Sequence, residues 1–176
     1  MSEQKSKPTL KEFVSEYLSG NVLELILCFN DFLNDNGLKA KRGAGASKNF
    51  YVVYKGKKIC DFGITGKDLW VISIANYKKL FLTETFEKYI TNEQRKFLLD
   101  TLRTVLPCTF SYGSCTYQGG MEFLGVNYEN ICGCYPHYQD VNDLLQNINH
   151  FNCMKELIII YKKILDDIAE AKKRTK

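Results

Sequence analysis

The sequence predicts an α+β fold: a single domain over residues 1–176, with a short antiparallel β-meander packed against N- and C-terminal helices. Three observations lead to this prediction. Amphipathic helical periodicity occupies both ends of the chain. Short β-branched and aromatic runs separated by turn residues fill the stretch from residue 50 to residue 75. Neither a linker nor an internal repeat divides the chain, and its 176 residues are about the length of one domain.

Two helices are predicted at the start of the chain. The first has apolar residues at helical spacing over residues 10–18, and Thr9 and Glu12 stand three apart as a capping box. The second is expected to be capped by Asn21 and to end at residues 36–37, an Asn-Gly pair that is typical of a helix stop.

The periodicity then changes from helical to strand-like. Residues 38–48 are basic and rich in glycine and alanine, and we expect a solvated loop there. Three strands are predicted to follow, at residues 50–54, 59–64 and 69–75. Their short connections indicate an antiparallel meander. In the third strand Trp70, Ile72 and Ile74 share one face, which we expect to lie against the helices.

Helical patterns return after residue 80. Residues 86–90 indicate a short helix, and Thr91 with Gln94 is the capping signature of a longer one. Its apolar positions extend to Val105, and Pro107 is expected to stop it.

The last third of the chain begins with an irregular Cys/Tyr-rich segment, residues 107–138, with one strand expected near residues 122–124. A short helix is predicted at residues 140–148. The final helix has the clearest pattern, with a continuous apolar stripe over residues 154–168 and a basic end that suits the helix dipole.

Composition and charge exclude several classes of protein. The chain is 45% hydrophobic and 25% charged, as in ordinary globular proteins. It contains no apolar stretch of membrane-spanning length, and its N-terminus lacks the apolar core of a secretory signal, so we expect no membrane partner and a cytoplasmic location. The net charge of +4 is uneven: residues 107–150 hold four acids and no lysine or arginine. Such a stretch suits a cation better than a phosphate.

Four of the seven cysteines lie in this cation-free stretch, and a histidine follows them. The candidate metal ligands are Cys108, Cys115, Cys132, Cys134 and His137. Zinc is the candidate cofactor, although these spacings differ from the usual paired-ligand pattern, and otherwise no cofactor is expected. The alternatives are reduced cysteines that simply pack, transient disulfides, or a nucleophilic Cys132 or Cys134 with His137 as base. We expect Cys28, Cys60 and Cys153 to be buried.

No catalytic constellation is visible, so the function favoured is a small ligand-binding or protein-interaction module without catalytic activity. Metal binding is the first alternative and a cysteine-dependent enzyme the second. The aromatic content of 13% suggests where a small molecule or protein partner would bind. The candidate ligand-binding residues are Trp70, Tyr112, Tyr117, Tyr135 and Tyr138.

Two further groups of charged residues are a set of cations near the meander and a pair of carboxylates on the last helix. Seven cations near the predicted meander form a candidate basic patch beside Tyr51 and Tyr54: Lys39, Lys41, Arg42, Lys48, Lys55, Lys57 and Lys58. A pI near 8.6 is too mild to indicate a nucleic-acid partner, so none is expected. The carboxylates of Asp166 and Asp167 are expected on a solvated helix face. The oligomeric state is left open.

Two weak resemblances carry an expectation about the fold. The order of two helices, the hairpin Tyr54-Lys55-Gly56-Lys57 with residues 59–62, and further helices resembles the small bacterial YdhG-like proteins, over residues 20–105. Residues 123–132 and the final helix resemble uncharacterised clostridial proteins that also carry cysteines. These resemblances imply a small cytosolic α+β domain. Some YdhG-like members are described as frataxin-like iron chaperones, but this chain lacks an acidic helix ridge.

Overall fold

A computed structural model describes residues 9–43, 48–65, 69–74, 84–102, 117–118, 121–129, 131–132 and 138–175. The described helices are α1 (Leu10–Ser15), α2 (Gly20–Asp35), α3 (Glu84–Glu87), α4 (Asn92–Asp100), α5 (Val141–Gln146) and α6 (Ile148–Arg174). The described strands are β1 (Ala40–Arg42), β2 (Asn49–Tyr54), β3 (Lys57–Thr65), β4 (Leu69–Ile74), β5 (Tyr117–Gln118), β6 (Met121–Phe123), β7 (Val126–Tyr128), β8 (Ile131–Cys132) and β9 (Tyr138–Asp140). The predicted α+β class is confirmed.

The main sheet has five antiparallel strands in the order β1-β2-β3-β4-β9. Its three central strands are the predicted meander, which is confirmed. The prediction of a loop throughout residues 38–48 is wrong at its start, because residues 40–42 form the edge strand β1, with Lys41 opposite Tyr51. An edge strand of three residues is too short to show the alternation by which strands are recognised in sequence.

One face of the sheet carries the core. Phe50, Phe62 and Ile72 lie opposite one another across three strands, and all are buried. Trp70, Ile72 and Ile74 are all buried in this core, as predicted. The register between β2 and β3 shifts at Val52 and Val53, as in a β-bulge.

The predicted helices are present, but several of their ends differ from the prediction. Helix α3, predicted at residues 86–90, spans Glu84–Glu87. The capping box of Thr9 and Glu12 is confirmed, with reciprocal hydrogen bonds at the start of α1. Helix α2 is not capped by Asn21: it begins at Gly20, whose φ of +57° turns the chain into the helix directly after α1. Helix α4 ends at Asp100 rather than near residue 105.

The predictions for the second half of the chain are confirmed for its helices and are wrong in part for residues 107–138. Besides the one expected strand, the described residues there form β5, β7, β8 and the first residue of β9. Strands of two or three residues are too short to show the alternation by which strands are recognised in sequence. Helix α5 and the long helix α6 lie at the predicted positions. The strand expected near residues 122–124 is β6, and it forms a hairpin with β7, which was not predicted. The hairpin turn is fixed to α4, because Arg95 Nη2 donates to the Leu124 carbonyl at 2.6 Å. No described helix has the length and apolar character needed to cross a bilayer.

Candidate functional site

An open cleft lies where the end of α4, strand β9, helix α5 and the start of α6 meet, with a volume of about 490 Å³. The described residues that line it are all polar or charged: Asp100, Thr101, Gln139, Asp143, Gln146, Asn147 and His150. This lining contains two carboxylates and an imidazole but neither lysine nor arginine. The lining therefore favours a ligand with hydrogen-bonding or cationic groups over an anionic ligand.

Helix capping places one wall of the cleft. The Asp140 carboxylate accepts a hydrogen bond from the Asn142 amide at 2.7 Å, which starts α5. The Asn147 amide donates to the Asp143 carbonyl at 3.0 Å, and the Asn147 side chain accepts from the His150 amide at 3.4 Å. Because Asn147 both ends α5 and caps α6, the two helices meet at one residue, and Asp143 and His150 line the same cleft.

The opposite wall is the last turn of α4. The Thr101 hydroxyl donates to the Phe97 carbonyl at 2.7 Å, which closes the end of the helix. The Asp100 carboxylate is paired with Lys96 on the outer side. The Phe97 ring meets the His150 imidazole edge to face, with ring centres 5.1 Å apart. This aromatic contact joins the two walls and orients the imidazole.

The described lining of the cleft offers several kinds of hydrogen-bonding group. Asp143 supplies a carboxylate acceptor, His150 an imidazole, and Gln146 and Asn147 amide groups with both donors and acceptors. The one hydroxyl in the described lining, that of Thr101, is bonded to a carbonyl, and the lining contains no thiol. Such a mixed polar surface can recognise a small molecule that both donates and accepts hydrogen bonds.

The predicted metal ligands fall mostly beyond what the structure describes. The backbone of Cys132 lies on β8, opposite Tyr117 of β5. The other four lie outside the described residues: Cys108, Cys115, Cys134 and His137. Among the residues that are described, no three His, Cys, Asp or Glu side chains are grouped so as to hold a metal ion. Zinc binding thus stays a prediction.

Three of the five predicted ligand-binding aromatic residues lie on described strands, and those strands belong to different parts of the fold. Trp70 is 3% exposed, and its indole packs in the core rather than in the cleft. The backbones of Tyr117 and Tyr138 lie on different sheets, on β5 and on the edge strand β9. Two others lie outside the described residues: Tyr112 and Tyr135. An aromatic ligand site built from these residues likewise stays a prediction.

Two of the three thiols expected to be buried are buried, and one is not. Cys60 and Cys153 are enclosed, and burial raises the pKa of both thiols, which disfavours the thiolate needed for nucleophilic attack. Cys28 is exposed, so that prediction is wrong. It lies off the stripe formed by the buried residues Leu25, Ile26 and Phe29 of α2.

The seven cations of the candidate basic patch do not form one patch. Arg42 and Lys48 lie over the rings of Phe13 and Tyr17 of the α1 region. Lys55 forms an ion pair with Asp166 of α6, and Lys58 with Asp61. Three make no ion pair with a described residue and are exposed: Lys39, Lys41 and Lys57.

The carboxylates of Asp166 and Asp167 are not merely solvated. Asp166 Oδ1 accepts from the Tyr54 hydroxyl at 2.7 Å and lies 2.6 Å from Lys55 Nζ. Asp167 Oδ2 accepts from the Tyr89 hydroxyl at 2.6 Å. The pair therefore ties α6 to the β2–β3 turn and to the residues after α3.

The cleft residues were not identified as a site from the sequence. The available signal was the cation-free stretch, which contains Asp143 and His150 as well as the clustered cysteines. His150 lies in the first turn of α6, at a helix boundary. Its neighbours in the cleft include Asp100 and Thr101, some fifty positions earlier in the chain, and periodicity carries no information about that contact.

No protein-family model matches the chain, and neither a curated protein nor a solved structure is significantly similar to it.

Proposed function

We propose that this protein is a non-catalytic binding module that takes a small polar molecule, rich in hydroxyl or amine groups, into the cleft between α4, β9, α5 and α6. The observation that carries the proposal is the convergence of polar side chains from four separate elements on one cavity of about 490 Å³. This size is within the range of small-molecule sites, which are about 300–1,000 Å³.

The charge of the lining supports the hydroxyl- or amine-bearing class. Asp143 and Asp100 are acceptors, and Asp100 is already paired with Lys96, so Asp143 is the carboxylate on which an ammonium group would be held. His150, oriented by the Phe97 ring, would accept from or donate to a hydroxyl group.

The test is a ligand-detected NMR screen with polyols, amino sugars and short polyamines. For a bound amine, Asp143→Asn should weaken binding by about ten- to a hundredfold, since a hydrogen bond to a charged group contributes about 1.5–3 kcal/mol. The matched control is Asp35→Asn, an exposed carboxylate on α2 far along the chain from the cleft, which should change nothing. Binding that is equally weakened by both variants, or no binding by any compound class, would refute the proposal.

Metal binding by the clustered cysteines is the second candidate. Its support is the concentration of four cysteines and a histidine in a stretch without lysine or arginine. The measurement is zinc and iron content after purification and dialysis against a chelator, for the native chain and for Cys132→Ser. Retention of about one metal ion per chain, lost in the variant, is expected if the prediction holds; metal-free native protein that takes up none on addition would rule it out.

A further inference from the structure

The second face of the main sheet carries a tyrosine, Tyr51, that bonds to no residue in the described part of the chain. Tyr51 belongs to β2, and its neighbours Phe50 and Val52 point into the core, so its own ring lies on the opposite face. It is partly exposed and is not among the residues that pack against the core. It makes no hydrogen bond or ring contact with any described residue.

Other described tyrosines are engaged. Tyr54 and Tyr89 donate to carboxylates of α6, Tyr161 donates to the Lys58 carbonyl, and the exposed Tyr17 packs against Phe13. Half-buried tyrosines normally place the hydroxyl group on a partner. A partly exposed tyrosine whose ring and hydroxyl contact no described residue is therefore a candidate contact for a ligand.

The charge beside Tyr51 that no described partner balances is positive. Its direct neighbour across β1 is Lys41, which is exposed and has no ion pair with a described residue. Its neighbour across β3 is Asp61, whose charge is balanced by Lys58, a lysine with 41% of its side chain exposed. Residues 36–60, which supply β1, β2 and the turn, contain seven lysines and arginines and no acid.

Side-chain exposure at the paired positions of β4, β3, β2 and β1 shows which part of this sheet face a partner can reach. Ser73, on β4, is 1% exposed, and the Asp61 side chain on β3 is 16% exposed. Tyr51 on β2 is partly exposed, and Lys41 on β1 is exposed. Val53, two positions from Tyr51 on the same strand, is 37% exposed. The accessible part is thus the β1–β2 half, which we name the tyrosine face: Lys41, Tyr51 and Val53.

We propose that the tyrosine face binds single-stranded nucleic acid, with a base stacked on the Tyr51 ring and a neighbouring phosphate held by Lys41. An exposed aromatic ring on an antiparallel sheet is a stacking platform for an unpaired base, and a flanking lysine neutralises the backbone. Bases inside a duplex are already stacked and cannot reach such a ring. An acidic polypeptide would form ion pairs with lysine but has no base to stack on the ring.

This site is formed by other secondary-structure elements than the polar cleft and has the opposite charge. The two proposals are therefore independent, and each is tested by its own experiment. The overall net charge of +4 did not indicate a nucleic-acid partner, because it averages the basic segment with acidic ones. The tertiary structure changes the inference, since it separates Lys41 and Tyr51 from the cations held by α1 and α6.

The experiment measures fluorescence anisotropy of labelled twelve-nucleotide single-stranded RNA and DNA at two salt concentrations. Tyr51→Ala should weaken binding by about five- to a hundredfold, whereas Tyr51→Phe should retain most of it, because stacking needs the ring. Lys41→Gln should weaken binding. It should also reduce the slope of log K against log salt concentration by the amount expected for about one phosphate contact.

Matched controls are Tyr17→Ala, an exposed tyrosine also beside a lysine but on α1's side of the molecule, and Lys173→Gln in the last turn of α6. Both should bind as the native chain does, and thermal unfolding checks that each variant is folded. The proposal is overturned by absence of saturable binding, by equal loss in Tyr51→Ala and Tyr17→Ala, or by equally tight binding of duplex. Competition by polyglutamate without any effect of Tyr51→Ala would likewise overturn it and assign the surface to an acidic polypeptide.

Discussion

The Asp166 carboxylate is held by two side chains that come from the same hairpin end. Lys55 and Tyr54 both contact Asp166 Oδ1, and these bonds lower the pKa of Asp166. The same contact with Asp166 raises the pKa of Tyr54 and of Lys55. Lys55 adopts a φ of +46°, in the left-handed region, so a strained turn residue is part of the contact.

These shifts make stability depend on pH at both ends of the scale. The contribution of Asp166 is present above the ordinary carboxyl pKa of about 3.9 and is lost as the pH falls below it. The contributions of Tyr54 and Lys55 are present below about pH 10 and are lost as the pH rises through their raised pKa values. Asp166→Asn should lower the stability at neutral pH. It should also flatten the acid and the alkaline arms of the curve of stability against pH. The urea midpoint measured from pH 2.5 to 11 checks this, and a profile identical to that of Asp35→Asn would contradict it.

The described thiols should differ in reactivity. Cys28 is exposed, whereas burial raises the pKa of Cys60 and Cys153. Alkylation of the native protein at neutral pH should therefore modify Cys28 and leave the other two until urea unfolds the chain. Peptide mass spectrometry after timed iodoacetamide treatment measures the order. Cys60 reacting as fast as Cys28 in the folded protein would show that this part of the sheet opens.

Two hairpin turns show how an element can be anchored from its tip. Lys55-Gly56 and Leu124-Gly125 both have positive φ at both positions, as two-residue hairpin turns of the I′ type require. Each tip is tied to a helix, the first through Lys55 to α6 and the second through the Leu124 carbonyl to Arg95 of α4. The second hairpin is therefore fixed by a partner distant in sequence, which explains why only one of its strands was recognised.

The two turn glycines form a matched pair for mutation. Gly56 and Gly125 both have a φ of +73°, but a methyl group at Gly56 meets open space, whereas at Gly125 it lies 3.3 Å from Arg95 Nη2. Gly56→Ala should cost about 1–2 kcal/mol through backbone strain alone. Gly125→Ala should cost more, since Arg95 must move and its bond to Leu124 weakens. Urea unfolding of both variants tests the order; an equal or smaller cost at Gly125 would contradict it.

Close packing within the sheet restricts substitution at a third glycine, Gly63, more severely than at the two turn glycines. A methyl group at Gly63 of β3 would lie 2.6 Å from backbone atoms of Lys48 and Asn49. Strand β3 can approach the start of β2 this closely only with glycine at that position. The sequence placed Gly63 correctly within a strand, but the contact that requires it belongs to the pairing of the two strands.

At the scale of the whole molecule, one aromatic residue joins three elements. The Phe29 ring of α2 meets Phe62 of β3 at 5.3 Å and Phe151 of α6 at 6.1 Å between ring centres. All three are buried in a core that both ends of the chain share. Helices before and after the sheet are thus stabilised by the same contacts.

Phe29→Ala should therefore destabilise the whole domain, by about 3–5 kcal/mol, because it leaves a cavity among three elements. Far-ultraviolet circular dichroism and tryptophan fluorescence, which reports Trp70, should lose their signals in one shared transition at lower urea. The control is Ile168→Ala, an exposed apolar residue of α6, with an expected change within about 0.5 kcal/mol. Separate transitions for the two probes would show that the helices and the sheet unfold independently.

The sequence by itself determined the α+β class, most helices, the meander and both capping boxes, because those depend on residues one to four positions apart. Only the tertiary structure decided that Cys28 is exposed, that β1 exists, and that Asp166, 112 positions from Tyr54, accepts its hydroxyl. It also brought Asp100 and His150 to one cleft and left Tyr51 partly exposed on the sheet face opposite the core. The physical reason is that periodicity and caps are local, whereas a cleft or a surface depends on which distant elements pack together.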